Sequence, residues 1–193
     1  MPNAFVLFAH PVPGSLNAAA HQVVVETLTG KGWDVDDCDL YAEGFNPVLR
    51  REERESYHDT AVNCTPVQAY VDRLRAADAF ILCHPVWNFG YPAILKGFFD
   101  RVMLPGVAFD LQDGKISACL NNIRKIAAVT TYGATPLRAF LAGDPPKRLF
   151  KRAVWGTVRP EKMRYIAQYD MNNITPDGCT AFLSRVRREM EVF

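Results

Sequence analysis

The sequence predicts an α/β protein with a doubly wound, five-stranded parallel sheet and helices on both faces. Two observations support this fold class. Short apolar segments alternate along the chain with segments of helical periodicity, which is typical of βαβ units. Several of these apolar segments run without interruption, as strands buried on both faces do. The 193 residues contain no internal repeat and no compositional break, so we expect a single domain over residues 1–193.

Apolar runs and capping signals define three strands and three helices in the first half of the chain. Asn17 can cap the first helix, which follows a polar loop. Thr65 and Gln68 have the spacing of a capping box, with Pro66 at the first helical position. The predicted strands cover residues 4–9, 33–40 and 79–83, and the predicted helices cover residues 17–29, 50–57 and 65–77.

The second half continues the alternation. Pro92 opens a helix with two adjacent apolar stripes, which we expect to be largely buried and partly at a subunit contact. Residues 136–153 are ambiguous, because Pro145 and Pro146 interrupt any helix there. Thr175 caps the last helix. The remaining predicted strands cover residues 125–130 and 162–169, and the last helix covers residues 175–192.

Composition excludes several classes of protein. Apolar residues make up 49% and charged residues 22%, with a net charge of +1, which fits a globular protein that binds no nucleic acid. The basic stretch at residues 147–164 favours a solvated face over a nucleotide-phosphate site. Five scattered cysteines without a Cys/His ligand pattern indicate no metal and a reducing, cytoplasmic environment. We expect no signal peptide and no stable membrane insertion.

Three unusual loops follow predicted strands, where ligands of open α/β sheets bind. The loop at residues 10–17 leads into a helix N-terminus, whose N–H groups and dipole favour a phosphate. Ser15 and Asn17 add donors, and His10 could supply positive charge. A tight strand–helix turn with a capping asparagine explains the same residues equally well.

The other two loops supply aromatic and small residues. Trp87, Phe89 and Tyr91 lie on the loop at residues 84–91 and suit a flat apolar ligand. An aromatic cluster in the core or at a dimer interface would use the same side chains. The loop at residues 130–138 suits hydrogen bonds to the polar edge of a ring system, although an ordinary glycine-containing turn has the same composition.

Three motifs carry a family resemblance: AHP followed by S-x-N in the first loop, P-x-W-x-F-G-x-P-A-I-L-K-G-F-F-D-R-V at residues 85–102, and TT-x-G at residues 130–133. In this order they resemble the flavodoxin-like NAD(P)H:quinone oxidoreductases, the DT-diaphorase-like family. The second motif is long and specific. The resemblance extends from residue 5 to about residue 133, and it implies a flavodoxin-like fold.

The resemblance also implies a flavin site and a homodimer with the active site at its interface. The helix after Pro92 contributes to that interface in the family. The flavin phosphate is then expected at His10, Ser15, Leu16 and Asn17. The ring is expected between two sets of residues, which are Pro85, Val86, Trp87, Asn88 and Phe89 on one side and Thr130, Thr131, Tyr132 and Gly133 on the other.

The chain departs from the family pattern at two places. The W-N-F sequence around Asn88 is similar to the Y-N-F of FMN-dependent azoreductases, so FMN is preferred to FAD. The family's Tyr and His that assist hydride transfer are not evident, and an ungapped match places Arg138 and Asp144 near their positions. Tyr132 and Arg138 are therefore the candidate catalytic residues, with Arg138 a candidate to stabilise anionic reduced flavin.

The resulting prediction is a flavin-dependent NAD(P)H oxidoreductase that reduces quinone-like acceptors by a ping-pong hydride transfer. Azo and nitro compounds are alternative acceptors. A second hypothesis is an ancillary flavoprotein that regulates a membrane transporter such as a potassium-efflux system. Such a protein would have the same site residues, so the sequence does not separate it from an enzyme. A small flavodoxin-like electron carrier is disfavoured by the net charge of +1, since flavodoxins are typically acidic.

Overall fold

Five parallel strands form the central sheet of the computed structural model, which describes residues 1–112 and 115–193. The described residues form seven strands in all, five of them in this sheet. In chain order they are β1 (Asn3–Phe8), β2 (Asp34–Asp39), β3 (Ala79–Val86), β4 (Phe109–Gln112), β5 (Lys115–Ala118), β6 (Lys125–Tyr132) and β7 (Lys162–Gln168). The sheet has the order β2-β1-β3-β6-β7, and β4 and β5 form a separate antiparallel pair. The predicted fold class is therefore confirmed.

Eight α-helical segments connect and cover the strands within the described residues. They are α1 (Leu16–Gly30), α2 (Arg51–Glu55), α3 (Gln68–Ala76), α4 (Ala93–Val102), α5 (Pro136–Leu141), α6 (Pro145–Leu149), α7 (Trp155–Val158) and α8 (Pro176–Glu191). A π-helical turn, Phe150–Val154, joins α6 to α7. Among these helices, none combines the length and apolarity that crossing a bilayer requires.

Each face of the sheet has its own apolar core, because successive residues of a strand point to opposite sides. On one face, Phe5 and Leu7 of β1 pack with side chains of α3 and α4. On the other, Val6 and Phe8 pack with side chains of α1 and α8. The middle strands are buried on both faces, which explains their uninterrupted apolar sequences.

The strand order reverses between β1 and β3. The chain moves outward from β1 to β2, then returns across β1 to place β3 on its other side. The connections after β1 and β3 therefore leave the sheet in opposite directions. Such a reversal opens a crevice at the carboxyl ends of the two strands, where ligands of this type of sheet bind.

Several predicted boundaries need correction. Ser15, not Asn17, is the N-cap of α1, and its side chain accepts a hydrogen bond from the Ala18 N–H at 3.1 Å. The capping box at Thr65 is also wrong, since α3 begins at Gln68 after a 3₁₀ turn without a side-chain cap. In the ambiguous stretch at 136–153, Pro145 does not break a helix but begins α6.

Two strands are longer than predicted. Residues 84, 85 and 86 belong to β3, and residues 131 and 132 belong to β6. The extension exists because the two strand ends pair with each other, Pro85 opposite Thr131 and Val86 opposite Tyr132. The β4–β5 pair was not predicted at all.

Candidate functional site

The three predicted loops lie at one edge of the sheet, because β1, β3 and β6 are parallel and adjacent. The first two loops touch: the rings of His10 and Trp87 have centroids 5.7 Å apart. The third begins directly beside the second, since Val86 pairs with Tyr132. The structure thus brings together the residues that the sequence singled out in three separate segments.

The start of α1 offers backbone donors at this edge. Ser15 uses its Oγ to accept from the Ala18 N–H, which leaves its hydroxyl hydrogen available to another acceptor. Among the described residues, the N–H groups of Leu16 and Asn17 have no backbone acceptor, as is usual in a first helical turn. Together with the helix dipole, these donors favour an anion.

Asn17 is the most informative side chain of the site. It is only 2% exposed, yet neither its Oδ1 nor its Nδ2 has a hydrogen-bond partner among the described residues. A buried amide without partners costs roughly 1–3 kcal/mol of stability, and most buried polar groups avoid that cost. The amide therefore has hydrogen-bonding capacity that the described part of the chain does not use.

A cavity of about 600 Å³ lies against the start of α1. It is enclosed between the ends of β1 and β2, and among its lining residues are His10, Gly14, Ser15, Asp39 and Tyr41. The size suits a small-molecule ligand. Asp39 and Tyr41 were not predicted, because only the pairing of β2 with β1 brings the end of β2 to this cavity.

His10 does not supply the positive charge that was expected of it. Its Nδ1 accepts a hydrogen bond from the Val12 N–H at 3.0 Å, so this nitrogen carries no proton. Partial burial lowers the pKa of the imidazole below its ordinary value. Both the hydrogen bond and the burial favour the neutral ring, whose N–H donor is then on Nε2.

A strained tight turn at residues 87–90 forms the second part of the site. The N–H of Trp87 donates to the Gly90 carbonyl at 3.2 Å, and the N–H of Gly90 donates to the Trp87 carbonyl at 2.8 Å. Asn88 and Phe89 both have positive φ, 49° and 55°, as the central residues of a type I′ turn do. Left-handed backbone is costly for a bulky aromatic.

The strain accompanies exposed aromatic rings. Trp87 is 43% exposed and Phe89 is 39% exposed, at the edge where the three loops meet. Nothing in the core requires a phenylalanine here, since its ring is not buried and glycine would fit the turn better. Backbone strain of this kind is concentrated at ligand-binding positions.

Beneath the turn, His84 and Thr130 are neighbours on β3 and β6. His84 is completely buried, and its Nδ1 donates to the Pro85 carbonyl at 2.9 Å. Neither its Nε2 nor the Thr130 Oγ1 has a partner among the described residues. Burial lowers the pKa of His84 to about 4, so its ring is neutral at physiological pH. His84 was not among the predicted site residues.

Tyr132 does not lie where the sequence suggested. It was expected on the third loop, on the opposite side of the flavin ring from Trp87. Instead it is the last residue of β6, and its side chain is 1% exposed, so it cannot form a wall of an open pocket. The hydroxyl donates to Asp144 Oδ1 at 2.7 Å and also contacts the Tyr165 hydroxyl.

The remaining predicted residues differ in exposure. Pro85, Thr130 and Thr131 are buried strand residues, so they can reach a ligand only from the sheet edge. Gly133 is exposed. Arg138 lies on α5 with an exposed side chain, and in the described part of the chain it forms no ion pair. The guanidinium of Arg138 is therefore available to pair with a negatively charged group, but in the described part of the chain no ion pair holds it in position.

Comparison with known proteins gives a consistent result. A family model described as a flavodoxin-like fold matches residues 2–175. The rat protein NAD(P)H dehydrogenase [quinone] 1 is 33% identical over 147 residues, which cover 68% of this chain and 54% of that protein. The chain thus spans about half the length of this relative.

Solved structures agree over the whole chain. Smu.1420 from Streptococcus mutans has 26% identity and a TM-score of 0.89, covering 99% of this chain and 100% of the other. An FMN-dependent NADH-azoreductase from Bacillus anthracis, in complex with FMN, has 15% identity and a TM-score of 0.76, covering 100% and 97%. The second likeness is one of fold alone.

Proposed function

The chain belongs to the flavodoxin-like fold family, and on that premise we propose that it is a flavin-dependent NAD(P)H oxidoreductase that reduces quinone-like acceptors. The observation that carries the proposal is the unpartnered, buried amide of Asn17 at the start of α1. It lies beside the crevice where the strand order reverses. The name of the rat relative, an NAD(P)H dehydrogenase acting on quinone, supports the reaction class.

The residues fit a flavin phosphate. A phosphate at the first turn of α1 would accept from the N–H groups of Leu16 and Asn17 and from the Ser15 hydroxyl. The Asn17 Nδ2 would gain the acceptor that the chain does not give it. FMN is favoured over FAD because the Bacillus anthracis azoreductase of the same fold binds FMN.

The chain's own residues bind and orient, while the redox chemistry belongs to the cofactor. When bound, the flavin supplies two-electron transfer from NAD(P)H to the acceptor in a ping-pong sequence. Trp87 and Phe89 present flat apolar surfaces at the site edge, so they select planar acceptors such as quinones. The two backbone hydrogen bonds of the turn at 87–90 hold the backbone positions from which both rings project.

The two candidate catalytic residues take different roles in this proposal. Tyr132 acts as a positioning residue, because its buried hydroxyl fixes the end of β6 to Asp144 and its ring is not exposed. Arg138 remains the candidate cation for negative charge that develops on the reduced cofactor.

We also propose that two copies form a homodimer through α4. An apolar groove of about 230 Å³ lies beside this helix and includes Phe99, Met103 and Leu149. Leu149 is 39% exposed, although it is large and apolar. A second copy would cover this surface. Analytical ultracentrifugation at several protein concentrations tests the assembly.

One experiment tests the main proposal. Purified full-length protein is incubated with FMN or FAD, freed of excess ligand and examined for flavin absorbance. NADH or NADPH is then oxidised with and without a soluble quinone. We expect one flavin per chain and quinone-dependent turnover. A protein that retains neither flavin after reconstitution contradicts the proposal.

A further inference from the structure

We propose that a basic groove next to the α5–α6 connection binds the 2′-phosphorylated adenosine end of NADPH. This inference rests on the proposed function, because it assigns the electron donor of the same reaction. The groove is a cavity of about 510 Å³. Its lining residues include Phe140, Asp144, Lys147, Arg148, Lys151 and Arg152.

The sequence alone favoured a solvated face for these basic residues, but their arrangement is concave. Lys147, Arg148, Lys151 and Arg152 follow at helical spacings of one, four and five residues, which places them on one side of α6 and the π-helical turn. All four line the same cavity. Basic side chains that serve only to solvate a surface are not expected to line one common cavity.

The positive charge of the groove is not neutralised by the chain. Asp144 is the one carboxylate among the lining residues, and it accepts hydrogen bonds from Tyr132 and Tyr169. Lys147 approaches it at 4.0 Å. Within the described residues, Arg148, Lys151 and Arg152 have no carboxylate partner. Two guanidinium groups and an ammonium are thus left to bind an anion, and arginine matches a phosphate with two parallel hydrogen bonds.

An aromatic ring lies beside these charges. Phe140 is 74% exposed and lines the groove together with Tyr169. A large apolar ring next to unpaired cations suits a ligand that combines a flat heterocycle with a phosphate. Stacking of a base on an aromatic side chain and charge-assisted bonds to a phosphate are separate contributions, and a nucleotide uses both. This combination favours an adenosine phosphate over inorganic phosphate.

The groove also points toward the proposed reaction site. Gly143, Arg148 and Arg152 line a second cavity of about 470 Å³, whose wall includes Gly90 and Tyr91 at the end of the strained turn. The two cavities share these three lining residues, so one surface carries the cations of the groove and extends to Gly90, the last residue of the turn that also contains Trp87 and Phe89. A dinucleotide lying along it would have its nicotinamide near the aromatic rings and its adenosine on the cations.

The test measures binding without turnover. Calorimetry on the full-length protein compares 2′,5′-ADP with 5′-AMP, which lacks the 2′-phosphate. We expect 2′,5′-ADP to bind at least about tenfold more tightly, and the difference to shrink at high salt. In the Arg148→Gln/Arg152→Gln variant this preference should disappear. The Arg159→Gln/Arg188→Gln variant removes the same amount of charge from exposed positions outside the groove. This control variant should still prefer 2′,5′-ADP.

Steady-state kinetics separate this inference from the proposed function. The Arg148→Gln/Arg152→Gln variant should raise KM for NADPH by about tenfold or more, with KM for NADH unchanged. A wild-type protein that binds both probes equally, or a control variant with the same loss, overturns the groove assignment. If the protein oxidises NADH with its flavin but does not prefer ligands that carry a 2′-phosphate, the groove assignment is overturned and the proposed function stands. Preferential 2′,5′-ADP binding by a protein without turnover would support the groove and refute the function.

Discussion

The Tyr132 hydroxyl donates a hydrogen bond of 2.7 Å to Oδ1 of Asp144. Tyr132 ends β6, whereas Asp144 precedes α6, so one bond joins the sheet edge to the connection that leads into the basic groove. Asp144 has a left-handed backbone with φ of 44°. Aspartate tolerates this conformation better than most residues, and the bonds from Tyr132 and Tyr169 hold it there.

Removing this bond should destabilise the fold. Tyr132→Phe deletes the donor and leaves a mostly buried carboxylate oxygen without it, so we expect the free energy of unfolding to fall by about 1–3 kcal/mol. Urea denaturation followed by circular dichroism measures the change. Tyr57→Phe is the control for loss of a tyrosine hydroxyl as such, because the Tyr57 hydroxyl has no hydrogen bond among the described residues. The variant also removes the contact with the Tyr165 hydroxyl, so a Tyr132→Phe protein as stable as this control would show that the two contacts together contribute nothing.

Asn17 should matter for the ligand more than for the fold. Asn17→Leu replaces an unpartnered buried amide with an apolar side chain of similar size, so the flavin-free protein should be equally stable or more stable. FMN affinity should fall at least about tenfold, and riboflavin, which lacks the phosphate, should be affected far less. Fluorescence titration with both ligands measures the two affinities.

Ser15→Ala provides the contrast for Asn17→Leu. It removes the N-cap of α1, so it should cost about 1 kcal/mol of stability even without ligand. If Asn17→Leu binds FMN as tightly as the wild type, the amide does not face the phosphate.

Phe89 offers a test in which stability and activity change in opposite directions. Phe89→Gly removes an aromatic from a left-handed position of a type I′ turn, where Asn-Gly is the preferred pair. We expect a gain of about 1 kcal/mol in stability and a fall in kcat/KM for quinones of a few-fold to about tenfold. Thermal denaturation and steady-state kinetics measure the two effects.

Arg159→Gly is the matched control for this variant, because Arg159 also has positive φ, 50°, and follows α7 rather than β3. Its kinetics should stay unchanged while its stability rises. Unchanged quinone kinetics in Phe89→Gly would remove the turn from the acceptor site.

His84 should make stability depend on pH. Its pKa in the folded protein is about 4, below the ordinary value of 6.5, so the unfolded chain binds the proton more tightly. The stabilising contribution is therefore complete above pH 6.5 and declines as the pH falls toward 4. Between pH 7.5 and pH 4.5, the loss from this one group should be about 2.5 kcal/mol.

The comparison of wild type with His84→Phe isolates this contribution from that of the carboxylates. Phenylalanine keeps an aromatic ring against Tyr91 and cannot titrate. Urea unfolding of both proteins at several pH values should give parallel curves above pH 6.5 and diverging ones below it. Curves that remain parallel down to pH 4.5 contradict the low pKa.

The sequence by itself determined the fold class and the three segments of the site. The uninterrupted apolar run before His10, the motif around Trp87 and the stretch after residue 125 are local patterns, and parallel strands bring their carboxyl ends to one edge. These segments could be recognised from the sequence, because a strand that is buried on both faces has an uninterrupted apolar sequence.

Only the tertiary structure decided what each of these residues can do. Packing against Asp144, Tyr165 and Tyr169 buried Tyr132, and pairing between β1 and β2 brought Asp39 to the first cavity. The unpartnered amide of Asn17 and the convergence of Arg148 and Arg152 on one groove depend on atoms that are distant in sequence. Burial, pairing and charge neutralisation are properties of neighbours in space, so no reading of a single segment could establish them.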